Sequence, residues 1–201
     1  MDTPLLSIAY LPPVEYFSIM ANYDSVWVES KEHFVKQTYR NRAVILGANG
    51  PLPLIIPLKK GKNNQQLITE TEIDYSSNWQ TVHWRAIKSA YGGSPFFEHY
   101  ADFFAPYYER RYLYLFEYNI ELTKLLLKLF RLNCEISFSS EFIVPSAIVG
   151  DYRYSITPKT ISSYTPIPYR QVFSDKFAFT PNLSAIDLLF CMGNRTNTVL
   201  N

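Results

Sequence analysis

The chain has 201 residues, 47% hydrophobic and 18% charged, which argues against a disordered chain and suffices for a sizeable core. Its net charge of +1 argues against affinity built on broad attraction to a nucleic-acid backbone, while leaving room for a local cluster around one small anion. The longest apolar run, LTKLLLKLF, is short and broken by Lys124 and Lys128, so no membrane span is expected.

Two cysteines, Cys134 and Cys191, stand far apart with no C-x-x-C. That pattern favours free thiols in a reducing compartment and disfavours a structural zinc site. The start, MDTPLLSIAYLPPVEY, has neither the basic n-region nor the apolar run of a secretory leader. A cytoplasmic location is therefore expected.

In chain order, residues 5–10 (LLSIAY) predict a short strand stopped by LPP. VEYFSIMAN places Val14, Phe17 and Met20 at helical spacing. Residues 25–30 (SVWVES) predict a second strand. RAVILG and LPLIIPL flank Asn49-Gly50, a hairpin signal because both residues tolerate positive φ. KKGKNNQQ reads as a polar loop and residues 67–73 (LITETEI), by alternation, as a strand.

Residues 78–92 predict a helix capped by Asn78, with Val82, Ala86, Ile87 and Ala90 on one face. Residues 94–108 predict a second helix from their recurring aromatics, and residues 119–130 a third, capped by Asn119. CEISFSSEFI suggests a strand. Residues 151–173 form a long, polar, proline-containing segment, uncommon in a compact domain and often functional. Residues 183–193 predict a closing helix stopped by Gly193. Together these elements predict a single α/β domain over residues 1–201, with a mixed sheet and at least three helices.

No phosphate loop, dinucleotide fingerprint, nucleophile elbow or zincin motif is present. Candidate chemistry therefore rests on clusters. KQTYRNR, residues 36–42, contains three cations and no acid. If Thr38–Arg42 is extended, Arg40 and Arg42 share a face and could clamp an anion, with Lys36 assisting. The alternative is an edge strand carrying gatekeeper cations. His83 is the candidate general base, or else a core histidine bonded to backbone. His33 and His99 read as surface residues. Asp151 and Arg153 share a face of an extended DYRY, as ligands or as an ion pair. Asp187, in the apolar SAIDLLF, needs a partner if buried. Tyr169, Arg170 and Gln171 could line a pocket.

Several stretches together resemble the WbqC-like family of bacterial proteins, in a form similar to the branch found in Bacteroidetes. They are YLPPVEYF, KQTYRNRAVI, LIIPL, WQTVHWRAIKSAYGGSPFFEHY, DYRYSITPK, YRQVF and PNLSAIDLLFCMG, in order along nearly the whole chain. Many relatives begin with Q-P-Y-[FL]-P. Here Ala9-Tyr10-Leu11-Pro12 takes that place, and the amide expected near position 8 or 9 is missing. The family's members are often encoded near O-antigen and other surface-polysaccharide genes. The resemblance therefore implies acyl or aminoacyl transfer to an amino sugar or nucleotide-linked sugar. It implies no settled catalytic residues.

On this reading Arg40 and Arg42 would hold the phosphates, with Lys36 assisting, and Asn41 would bond a sugar hydroxyl or carbonyl. Arg153, Tyr169 and Gln171 would complete the substrate site, with His83 or Asp151 as base. The expected partner is an anionic small molecule such as a nucleotide-linked sugar; nucleic acid is the least favoured. Nothing names a cofactor, metal or oligomeric state. A non-catalytic binding or assembly protein for a glycan precursor is the alternative.

Overall fold

The structure is a computed structural model that describes residues 3–59, 66–145, 150–159, 162 and 164–200. The chain opens with a β–α–β unit. β1 (Leu5–Ser7) is buried up to its last residue. It cannot continue past Leu11-Pro12-Pro13, where Leu11 takes φ +39 and the prolines lack ladder donors. α1 (Val14–Ala21) buries Val14, Tyr16, Phe17 and Met20. β2 (Ser25–Glu29) then runs parallel to β1, setting Leu5 beside Trp27 and Ser7 beside Glu29. β5 (Glu135–Phe138) pairs in parallel with the other side of β2, so the order is β1-β2-β5. Asp151 bridges Leu5 on the remaining side of β1.

β3 (Arg42–Gly47) and β4 (Gly50–Ile55) form a separate antiparallel hairpin. The fold is thus α/β, as expected, with its parallel and antiparallel strands divided between two sheets. Gly47 pairs with Gly50, so the two-residue turn is Ala48-Asn49, one position earlier than the Asn-Gly signal suggests. Gly50 instead opens β4 at φ +110, a conformation that only glycine adopts without strain. Pro51 and Pro53 pair with Leu46 and Val44. Having no N–H, they blunt the outer edge of β4 against further pairing.

Between β2 and β5 lie the hairpin and three helices, α2 (Trp79–Tyr91), α3 (Phe97–Glu109) and α4 (Leu115–Phe130). α5 (Ala185–Met192) and α6 (Asn197–Leu200) follow the long segment after Asp151. Phe190 of α5 packs its ring against Tyr91, Phe97 and Phe104 at 5.1–5.6 Å between centroids, joining α2, α3 and α5 into one core. The start of α5 is seated by Ser184 N donating to Val44 O and Ala185 N to Pro12 O, both 2.8 Å. Among the described residues no helix is long and apolar enough to cross a membrane.

Four local expectations are corrected. Residues 67–73 form no strand but a 3-10 turn at Ile68–Glu70. The Thr71 hydroxyl donates to Leu67 O at 2.9 Å, a local bond that competes with ladder formation. Asn78 does not cap α2 through its side chain, which accepts from the Thr81 hydroxyl instead. Asn119 lies inside α4, because that helix begins four residues earlier at Leu115. Val82 is 61% exposed; the buried face of α2 is turned so that Trp79, Gln80, His83 and Ile87 point inward. Most of the polar 59–66 stretch lies outside the described residues.

Candidate functional site

The ends of β1 and β2 carry Ser7 and Glu29 side by side, and a buried charge network grows from them. Glu29 is fully buried. Its carboxylate accepts from Lys31 N, the Ser139 hydroxyl, Ile143 N at 3.0 Å and Arg153 Nη1 at 2.9 Å. Arg153 donates through Nε and Nη2 to both oxygens of Asp151, at 2.9 and 2.7 Å. One guanidinium thus bridges two carboxylates. Burial pushes the Asp151 carboxyl up, but the bonds from Arg153 outweigh it and hold the group below the usual carboxylate range.

Arg40 repeats the pattern. It donates through Nε and Nη2 to Glu32, and through Nη2 to the Ser7 hydroxyl at 2.7 Å. Both side chains are 4% exposed. Burial raises the Glu32 carboxyl above its ordinary value, and the bonds from Arg40 only partly offset this. The extended geometry expected for Thr38–Arg42 is not formed. Gln37 takes φ +59, and the segment folds as turns tied down from three sides. Tyr10 N donates to Tyr39 O, Asn119 Nδ2 to Arg40 O and Asn41 Nδ2 to Ile56 O, at 2.7–2.9 Å. Arg40 turns inward to Glu32 and does not share a face with Arg42. Asn41 is bonded to backbone, and Lys36 is exposed with no ion pair among the described residues.

Tyr39 stands between two spaces. On one side a cavity of about 10 Å³ lies against Ser7, Arg40, Tyr152 and Arg153, room for about one water. On the other side a cleft of about 270 Å³ is lined by Tyr39, Val44, Thr157, Ser162, Tyr164 and Asn182, among others. Glu15 braces its wall by accepting from the Ser162 hydroxyl at 2.7 Å and Asn182 Nδ2 at 2.9 Å. Arg42 and Val44 alternate onto one face of β3. Arg42 enters no ion pair among the described residues, and its Nε is buried without a hydrogen-bond partner. The Tyr39 phenol is raised by burial and by Glu15, and lowered by Arg42.

His83 lies elsewhere, 5% exposed in the aromatic core. Its Nδ1 meets the Tyr10 hydroxyl at 3.1 Å, and that hydroxyl meets Tyr108 at 2.9 Å. Burial lowers its pKa to about 4, with a partial offset from Ile55 backbone; the ring is neutral at neutral pH. Tyr169 and Gln171 gather at a third place, around Asp187. Asp187 Oδ2 accepts from the Tyr169 hydroxyl at 2.7 Å and from Gln171 Nε2 at 3.1 Å. Gln171 also exchanges two bonds with the Thr180 backbone, both 2.9 Å. The candidate residues are therefore split. Arg40, Asp151 and Arg153 meet at the sheet end, Arg42 shares a β3 face with the cleft residue Val44, and His83, Tyr169 and Gln171 do not join them.

The profile of the WbqC-like protein family matches residues 9–150, well over half of the chain. This chain belongs to that family. It is also similar to an uncharacterised protein of Mycobacterium tuberculosis, strain H37Rv, with 31% identity over 99 residues. That match spans 49% of this chain and 42% of the relative. No solved structure matches. The matched WbqC-like segment contains Tyr39 and Arg42 but ends before Asp151, Arg153 and the 157–183 wall of the cleft.

Sequence reasoning passed over Glu29, Glu32 and Ser7. One signal was available in this WbqC-like sequence. SVWVESKE places two acids at the end of an apolar strand, where a buried carboxylate demands a cation. Nothing local points to Arg153 as that cation, 124 positions away.

Proposed function

We propose that this WbqC-like protein binds a nucleotide-linked sugar, or an anion of like chemistry, in the cleft beside Tyr39. The observation that carries the reading is Arg42, a guanidinium without an ion pair among the described residues, whose backbone N–H bonds Tyr39 O and which shares a β3 face with Val44, both residues of a cleft lined by hydroxyl and amide groups. A guanidinium suits a phosphate, and hydroxyls with an amide suit a sugar ring. Tyr39 also lines the small cavity beside Ser7 at the carboxyl end of β1, the end at which open α/β sheets place ligands. At about 270 Å³ it suits one sugar-sized group, with the phosphates toward Arg42. Arg40 and Arg153 line the small cavity on the other side of Tyr39, their charges already met by carboxylates.

The activity proposed with it is acyl or aminoacyl transfer to the sugar, within surface-polysaccharide metabolism in the cytoplasm. We take residues 1–201 as one WbqC-like domain, since the wall after residue 157 closes a cleft whose other wall lies in the matched segment. The second reading, a non-catalytic binding or assembly protein for a glycan precursor, is favoured by one observation. The two candidate bases stand apart from the cleft, His83 bonded within the aromatic core and Asp151 locked to Arg153. Calorimetric titration with a panel of nucleotide-linked sugars tests binding. Saturable binding that weakens at least about tenfold in Arg42→Gln supports the site; equal binding by that variant removes it. Turnover of a bound sugar with an acyl or aminoacyl donor then separates enzyme from binding module.

A further inference from the structure

A second cavity, of about 320 Å³, opens between the α2–α3 connection, the 170–172 segment and the end of α5. It shares no lining residue with the Tyr39 cleft. Two arginines line it, Arg170 from the long segment and Arg195 from the 3-10 turn after α5. Both are exposed, and neither enters an ion pair among the described residues. No Asp, Glu or His is among the lining residues.

The polar groups of the floor are already committed. The Gln171 amide is spent on Thr180 and Asp187. The Ser94 hydroxyl donates to Tyr91 O at 2.7 Å. Burial first, and Asp187 second, push the Cys191 thiol up, so the floor stays uncharged there. Pro95, Val172 and Met192 supply apolar wall. Two like charges on one cavity repel each other, and an anion placed between them relieves that repulsion.

We infer that this cavity is a binding site for a small organic acid, its carboxylate held between Arg170 and Arg195 and its apolar body against Pro95, Val172 and Met192. A bare inorganic anion would use the arginines alone and leave the apolar wall in water. The inference is independent of the reading given to the Tyr39 cleft.

The test is an NMR titration of the ¹⁵N-labelled full chain with butanoate, and in parallel with inorganic phosphate, following the arginine Nε–Hε signals. The expected result is saturable shifts of Arg170 and Arg195 with butanoate, and tighter binding of butanoate than of phosphate. Arg170→Gln and Arg195→Gln, both at exposed positions and so expected to stay folded, should each weaken butanoate binding about tenfold. Three results would overturn the site: no saturable shift, phosphate and butanoate binding alike with both lost in added salt, or undiminished binding in either variant.

Discussion

Arg40, in a turn, and Arg42, opening β3, stand two residues apart and meet opposite fates. Arg40 is buried with Glu32 and Ser7, while Arg42, on the β3 face of the cleft residue Val44, keeps its Nε without a partner. The sheet end around Arg40 and Arg153 is saturated with internal carboxylates. The cleft beside it is not. A cation's meaning thus depends on whether the fold itself supplies its anion, and only the second kind is available to a ligand. Buried pairs are costly to break from one side because the survivor stays buried. A surface cation is nearly free to remove.

The sharpest way to break this contrast is at Glu29. Glu29→Ala strips Arg153 of one carboxylate and leaves the Lys31 and Ile143 amides without their acceptor. The expected loss is about 3–5 kcal/mol of stability, read by urea unfolding. A loss under about 1 kcal/mol would mean that the sheet end is not held by this network.

His83 offers the next largest effect, through pH. In the fold it stays neutral down to a pKa of about 4, against an ordinary 6.5. The unfolded chain takes up a proton near 6.5 that the folded chain refuses. The stability tied to neutral His83 is therefore complete above pH 6.5 and falls as pH drops toward 4, after which both states are protonated. The size is about 3 kcal/mol. His83→Phe should flatten the pH dependence of stability across that window by this amount, with the carboxylate contribution common to both proteins. An unchanged slope would place a charged imidazole in the fold.

Asn119 ranks third. It sits fully buried inside α4, and its amide donates to Arg40 O. Asn119→Leu leaves that carbonyl unmet, at about 1–3 kcal/mol. Because the same bond fixes the turn, the Arg42 amide, which donates to Tyr39 O at 3.4 Å, should also lose hydrogen-exchange protection. Full protection in the variant would show that the turn is held without Asn119.

Much of the fold was legible because periodicity reports burial. α1 matched its expected helix to within one residue at each end; α2 and α5 lay within their signals, while α4 and β4 began ahead of theirs and overlapped them. What failed were readings in which one side chain has two uses. Asn119 looks like a cap and serves as a buried donor; Thr71 looks like a strand residue and bonds its own turn. The candidate site was legible only as an inventory. KQTYRNR and DYRY do converge, both reaching the cavity beside Ser7. Yet Arg40 and Arg42 differ by an acid eight positions upstream of one of them, and no spacing rule distinguishes the two. Likewise His83 lies between two tryptophans in sequence, and its fate was fixed by Tyr10, 73 positions away.

The smallest expected effect on stability is the most informative about function. Arg42 lies at the start of β3, partly exposed, with no described ion pair to lose. Arg42→Gln should change the unfolding free energy by less than about 0.5 kcal/mol, because β3 keeps its register with β4 through backbone bonds. Arg40→Gln, in contrast, leaves Glu32 buried and unpaired and should cost several times more, on the order of 3 kcal/mol. If the cleft takes an anion, Arg42→Gln removes its binding while Arg40→Gln impairs it only in step with stability. Equal destabilisation by the two substitutions would mean that Arg42 too is part of the scaffold, and the distinction between saturated and available cations would fail.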